Sequence, residues 1–436
     1  MRNRKKLLLA LLVTTACIFS SFLGTQQYTA FPVLPLSPAS YLQEVKPTTI
    51  KTPISTNEAT TPAPTTSSST TTTTVATETT TTLRPRAFNP IDPESIFWSS
   101  CPEPGLGRNS SFVTAFVDGR LGNVVWSYLS VLAAAKRYNL RPIFDQKSLD
   151  VLATMAFDER FLRVPSEQWL DQKCGMHGEF VNVSTQKIKI VSSWKDMFRY
   201  VETPPREGFE FYKYNFYVAD SEVTTPYWYD LKKELVLKEE FKSEATRQLK
   251  EYKDEFQEQI GQNLSNIEFV GIHVRRSDYI YHMSVVYPGS TAAGAGFFHA
   301  AINWLKKNLQ RPLIFVVVSD DRQWTEENIV GNSTDVFLAG SSNWDQPGED
   351  LAILAACNHT IFAYGTFGLT GALLANRPGG FTIIFDPLNG TVTKEMEFGS
   401  NLPGWRIMDE QGNIHYQDTR LTYAYFVHPR LGAENN

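Results

Sequence analysis

The chain has 436 residues, 42% hydrophobic and 13% aromatic, enough for a sizeable core and two lobes. Its formal net charge of −5 excludes a general electrostatic attraction for nucleic acid, so any anion site must be local. Cysteines are few (Cys17, Cys101, Cys174 and Cys357), with no H-E-x-x-H or paired C-x-x-C, so nothing points to zinc or to a disulfide framework.

Arg2, Arg4, Lys5 and Lys6 precede a mostly apolar segment, Leu7 to Gly24, roughly 18 residues and just long enough to cross a bilayer. The charges keep residues 1–6 cytoplasmic and send the rest across. A cleaved signal peptide has the same start, but no A-x-A site is visible and a stem follows, so 7–24 reads as a type II signal anchor. Residues 25–86 form that stem, whose Thr, Ser and Pro tract over 47–85 cannot bury enough surface to offset its ordering entropy and suits O-glycosylation. N-glycosylation sequons at Asn109, Asn182, Asn263, Asn332 and Asn389 place the downstream domain in a lumen; a further one, Asn358, falls in a buried-looking run and is expected to stay bare. Cys101–Cys174 is the preferred disulfide, since Cys357 reads as core.

The folded part divides into an N-terminal lobe, 87–262, and a second lobe, 263–436. GRLGNVVWSYLSVLAAAKRYNLRPIF (119–144) predicts a Gly-rich turn, a helix with Asn123 as N-cap and Asn139 as left-handed C-cap, and a strand. An irregular aromatic section follows. A stripe of Leu231, Leu235, Phe241, Ala245, Leu249, Tyr252, Phe256 and Ile260 then predicts one amphipathic helix over 230–260. Beyond Gly261, apolar strand-like runs at 269–274, 312–319, 360–365 and 381–385 alternate with helical stretches at 297–309, 349–357 and 367–376. That alternation predicts an α/β fold with a Rossmann-type parallel sheet covered on both faces. Such sheets bind ligands beyond the carboxyl ends of their strands.

Three polar strand ends would converge on that edge: His273, Arg275, Arg276 and Asp278 after the first strand, Asp320 and Asp321 after the second, and Gly365-Thr366-Phe367-Gly368 after the third. Arginine's fixed fork of donors suits phosphate oxygens, and adjacent arginines repel unless an anion or carboxylate lies between them. An Arg–Asp network closing a loop is the structural alternative. The Gly-Thr turn opening a helix adds unsatisfied amides and a dipole that favours anions. Together they predict a diphosphate site, in a lumen most naturally that of a sugar nucleotide. No D-x-D is present to hold a metal, so arginine would stabilise the leaving diphosphate and no metal cofactor is expected.

HVRR-x-D (273–278), SDDRQWTEENI (319–329) and DLAILAACNHTIFAYGTFGLTGALLA (350–375) resemble the galactoside α1,2-fucosyltransferases, as does GRLGN (119–123). The resemblance implies an inverting, metal-independent enzyme of GT-B-like fold in the Golgi membrane, using GDP-fucose and a β-galactoside glycan acceptor. It leaves a homodimer open. Carried over by position, Arg275 and Arg276 contact the diphosphate, His273 and Asp320 lie near guanosine, and Thr366, Phe367 and Gly368 hold phosphate through their backbone. Arg276 and Asp278 are the catalytic candidates, Asp278 either as general base or as an orienting partner for an arginine. Glu349 and Asp350 are better explained as helix N-terminal carboxylates. Val124-Val125 and Leu369-Thr370-Gly371 depart from the family pattern near the ligand surfaces the resemblance implies, which leaves room for an acceptor different from the vertebrate one. Another fucosyl linkage, or a glycan-binding protein that keeps the fold without catalysis, are the competing readings.

Overall fold

The computed structural model describes residues 100–101, 111–175, 188–191, 197, 200, 210–214, 219, 221–287, 289–341, 346–387, 393–399 and 401–415. The anchor, the stem, Asn109, Asn182 and Asn389 lie outside them. Among the described residues no helix is long and apolar enough to cross a membrane.

Two parallel sheets organise the chain. The first contains β1 (Ser111–Ala115), β2 (Arg141–Pro142), β3 (Ile188–Val191) and β4 (Glu210–Tyr214) in the order β2-β1-β4-β3. β4 arises in the section read as irregular from sequence; its EFYKY pairs along the whole of β1. On one face Phe112 stacks on Phe211, ring centroids 5.0 Å apart. Val113 and Ala115 point the other way, into the main core beneath α1 (Leu121–Tyr138).

α1 is buried almost throughout, which is why its sequence is apolar on every side rather than along one stripe. Its charged residues, Lys136 and Arg137, fall in the last turn, where they complement the helix dipole. Asn139 ends it in the left-handed conformation, φ 55°, as expected. The N-cap differs from the expectation: it is Arg120, and Asn123 lies inside the helix. Next come α2 (Gln146–Met155) and α3 (Glu167–Cys174). The single helix expected over 230–260 is also divided. Short turns cover Trp228–Leu231 and Lys232–Glu234, and α4 begins at Glu239 and runs to Ile260. The break has a tertiary cause: Asp158 N–H donates to the Val236 carbonyl at 2.8 Å and Lys238 N–H to the Ala156 carbonyl at 3.1 Å. Backbone groups bonded across the fold cannot also propagate a helix.

The second sheet comprises β5 (Glu268–Val274), β6 (Leu313–Ser319), β7 (Val336–Leu338), β8 (His359–Phe362), β9 (Thr382–Phe385), β10 (Trp405–Met408) and β11 (Ile414–His415), in the order β11-β10-β9-β8-β5-β6-β7. Only the β10–β11 pairing is antiparallel. Helices α5 (Tyr279–Val286), α6 (Ala295–Asn308), α7 (Pro347–Ala356), α8 (Thr366–Ala375) and α9 (Lys394–Gly399) connect the strands. From β5 the chain builds outward through β6 and β7, then returns to lay β8 on the opposite side of β5. The reversal makes β5 and β8 a topological switch point, where open α/β sheets bind ligands.

One core cluster contains residues of both sheets, among them Val113, Val316 and Ile384. Aromatic packing ties α1 to the second sheet through intermediates: Trp126 lies 4.9 Å from Phe398 of α9 and 5.9 Å from Trp228, which is 5.5 Å edge-on from Trp405 of β10. Each such pair adds ~0.5–1.5 kcal/mol beyond area burial. Cys101 and Cys174 form the preferred disulfide. Cys357 is buried, and burial pushes its thiol up to about 12, leaving it a core residue.

Candidate active site

β5 leaves the sheet at Arg275 and Arg276, whose side chains are each only 17% exposed. Arg275 lies over the Tyr279 ring, 4.5 Å from its centroid, and donates twice to Asp278: Nε–H to Oδ1 at 3.0 Å and Nη2–H to Oδ2 at 2.7 Å. Arg120, the N-cap of α1, approaches the same carboxylate, with Nη2 3.7 Å from Oδ2. Asp278 therefore sits between guanidiniums from both halves of the molecule. Of its two candidate roles, base or partner, it holds the partner's position here.

Arg276 stacks on Trp324 at 3.7 Å and donates from Nη1 to the Ala293 carbonyl at 3.0 Å. Its buried Nε has no hydrogen-bond acceptor, and Asp321 Oδ2 is 3.7 Å away. Asp320 braces the strand end, accepting the Arg276 amide at 2.8 Å and the Ser277 hydroxyl at 2.6 Å. That leaves Asp320 engaged with its own loop, while Asp321 caps the helical turn carrying Trp324.

β8 is hydrogen-bonded beside β5, with Phe362 opposite His273, so its carboxyl end opens beside the arginines. Gly365, at φ +92°, turns the chain into α8, and its amide donates to Glu395 Oε1 at 3.0 Å. An L side chain rarely adopts that backbone conformation. The amides of Thr366, Phe367 and Gly368 open α8 and have no intrahelical acceptor. His273 lies beneath them: a Cβ on Gly368 would stand 2.7 Å from its Nδ1, and the Phe367 ring centroid is 5.3 Å away. Burial, with Arg275 adding to it, lowers the His273 pKa to about 3, so the ring is neutral. Its Nδ1 has no hydrogen-bond partner.

The N-terminus of α1 reaches the same point. Thr366 Oγ1 donates to Asn123 Oδ1 at 2.7 Å, and Trp126 Nε1–H donates to the Thr366 carbonyl at 3.2 Å. Two helix mouths thus meet beside three guanidiniums. Positive helix ends repel one another unless an anion lies between. The arrangement can hold a polyanion such as a diphosphate and stabilise charge that develops on it.

Of the predicted residues, Arg275, Arg276, Asp278, Thr366, Phe367 and Gly368 gather at one sheet edge, His273 lies under it, and Asp320 braces it. Arg120, Asn123 and Trp126 were not identified as site residues from sequence. GRLGN was visible as a motif, but nothing local shows that its helix docks on a turn 243 positions away. Asp350 lies in the first turn of α7, as expected, and accepts the Ser341 amide at 2.9 Å; burial pushes its pKa up to about 7.

Comparison with known proteins bears on this geometry. Residues 208–408 match the sequence model described as Glycosyl transferase family 11. The matched region contains both strand ends and the α8 turn described above. The chain is 41% identical over 115 residues to galactoside 2-alpha-L-fucosyltransferase SEC1 of Bos taurus, covering 26% of this chain and 30% of that protein. It is 43% identical over 115 residues to galactoside alpha-(1,2)-fucosyltransferase 2 of the same species, covering 26% and 32%. The matches span about a third of the length of these curated relatives. Among solved structures, the fucosyltransferase NodZ from Bradyrhizobium is similar at 16% identity and TM-score 0.39, covering 66% of this chain and 98% of that one.

Proposed function

We propose that the protein is a galactoside 2-α-L-fucosyltransferase: it transfers L-fucose from GDP-β-L-fucose to the 2-hydroxyl of a terminal β-galactose, with inversion. The supporting observation is the placement of Arg275, Arg276 and the α8 mouth on adjacent parallel strands at the switch point of a sheet that lies within the region matching glycosyl transferase family 11. In this reading the galactose oxygen forms a bond to fucose C1 as the bond from C1 to the diphosphate breaks. The acceptor proton leaves to a base, and GDP departs with the bonding electrons. Arg275 and the α8 amides take the growing negative charge, a contribution that needs no reorganisation at the moment of reaction. Arg276, clamped by Trp324 and Ala293, fixes the strand end and adds its charge.

The reading extends to a GT-B-like arrangement of two lobes and to a Golgi protein held by the 7–24 anchor. It includes transfer without a metal. The test is to incubate the protein with GDP-fucose and a panel of β-galactosides and map the product. Fucose on the galactose 2-hydroxyl, formed undiminished in EDTA, supports the proposal. Fucose at another position supports a different linkage, and GDP binding without transfer supports a glycan-binding protein. Loss in EDTA with rescue by manganese overturns the metal-free mechanism.

A further inference from the structure

We propose that Asn123 is a positioning residue for the donor site, acting through Thr366 to set the turn whose amides receive the diphosphate; the inference rests on the diphosphate reading above. Asn123 is the third residue of α1, on the first sheet's side of the molecule, yet its carboxamide oxygen accepts the Thr366 hydroxyl at 2.7 Å. Three residues on, along the same helix face, Trp126 Nε1–H reaches the Thr366 carbonyl at 3.2 Å. The hydroxyl and the carbonyl of one residue at the head of α8 are therefore each held from outside α8, the carbonyl also accepting the Thr370 hydroxyl within it at 2.7 Å. No side-chain cap does this work: the Gly365 N-cap has none to offer.

Gly122 makes the approach close enough. A Cβ there would lie 2.5 Å from the Phe367 amide nitrogen and 2.8 Å from the Thr366 carbonyl carbon. Real Cβ atoms do not approach backbone so closely, so a side chain at 122 would force α1 and the α8 turn to shift relative to one another. Gly122 and Asn123 thus work together, one permitting the contact and the other making the hydrogen bond. The hydrophobic floor beneath them is rigid, since Trp126 packs on Trp228 and Phe398. A turn fixed in this way presents its amides without an ordering cost when an anion arrives. It also assigns the Thr366 hydroxyl to Asn123 rather than to the donor.

The test is a double-mutant cycle on GDP binding by calorimetry, with Asn123→Ala, Thr366→Val and the pair, each also assayed for donor and acceptor KM. Losing a hydrogen bond of this kind costs about a factor of five to ten in the function it supports. We expect each single variant to weaken GDP and raise the donor KM about tenfold with the acceptor KM unchanged. The double variant should be no weaker than either single one. Thr366→Ser, which keeps the hydroxyl, should bind GDP within about twofold of the parent protein, and Trp126→Phe should weaken it several-fold. Multiplying losses in the double variant, or equal increases in both KM values, overturn the inference. Failure of the parent protein itself to bind GDP would instead overturn the diphosphate reading.

Discussion

Asp278 is the anion already seated among the guanidiniums, and Asp278→Asn is expected to tighten GDP binding. Arriving phosphates must share or displace its bonds to Arg275 at 2.7 and 3.0 Å, with Arg120 3.7 Å away. The Asp278 side chain is 46% exposed, so the ion pair itself contributes only ~0.2–1 kcal/mol. Repulsion between the carboxylate and a phosphate charge about 5 Å away adds about 1.7 kcal/mol at an effective dielectric constant near 40. Relief of the two, less a residual amide bond to Arg275, amounts to about 1–2 kcal/mol, a five- to thirtyfold lower Kd. Partial burial works against ionisation of Asp278, but the Arg275 bonds and the charges of Arg275 and Arg120 outweigh it and hold its pKa below the ordinary carboxylate value. The group therefore stays charged from neutral down to mildly acid pH, and the gain should persist across that range. Calorimetry with GDP at neutral pH, at low and high salt, measures it; the gain should shrink as salt screens the repulsion. Weaker binding in Asp278→Asn would show that the carboxylate orients Arg275 for phosphate. A hundredfold loss of turnover at saturating donor would make it the general base.

Arg275→Ala should abolish donor binding and lower stability by only about 1 kcal/mol, since its partner Asp278 is half exposed and regains water. Arg276→Ala should also lower stability by about 2–4 kcal/mol, since it loses the Trp324 stack and the bond to the Ala293 carbonyl. Equal Tm values for the two variants would contradict this division of labour. Gly368→Ala drives a methyl to 2.7 Å from His273 Nδ1 and 2.8 Å from the Phe362 ring, which should cost about 1–3 kcal/mol and weaken GDP; unchanged melting and binding would contradict the packing. Asn263 and Asn332 are exposed, whereas the Asn358 carboxamide oxygen accepts the Phe269 amide at 3.0 Å. Glycopeptide mapping of secreted protein should find glycans on the first two and none on Asn358.

Local signals carried much of this molecule. The continuous apolar runs at 269–274 and 312–319 could only be buried strands, and the Gly-Thr turn before an apolar helix marked the α8 mouth. Other elements were hidden because their cause is not local. β4 was missed since EFYKY becomes a strand through pairing with β1. α4 was drawn too long since its apolar stripe runs on past backbone groups that bond instead to residues 156 and 158.

The amino-acid sequence alone determined which residues carry charge, which strands are buried on both faces and which turns open helices, because burial periodicity and side-chain chemistry are properties of short segments. Tertiary structure alone decided that β5 and β8 are neighbours, that α1 docks on Thr366, and that Asp278 lies between Arg275 and Arg120. Strand order and helix docking depend on complementary surfaces far apart in the chain, and the meeting of those surfaces gives the charged residues a common site.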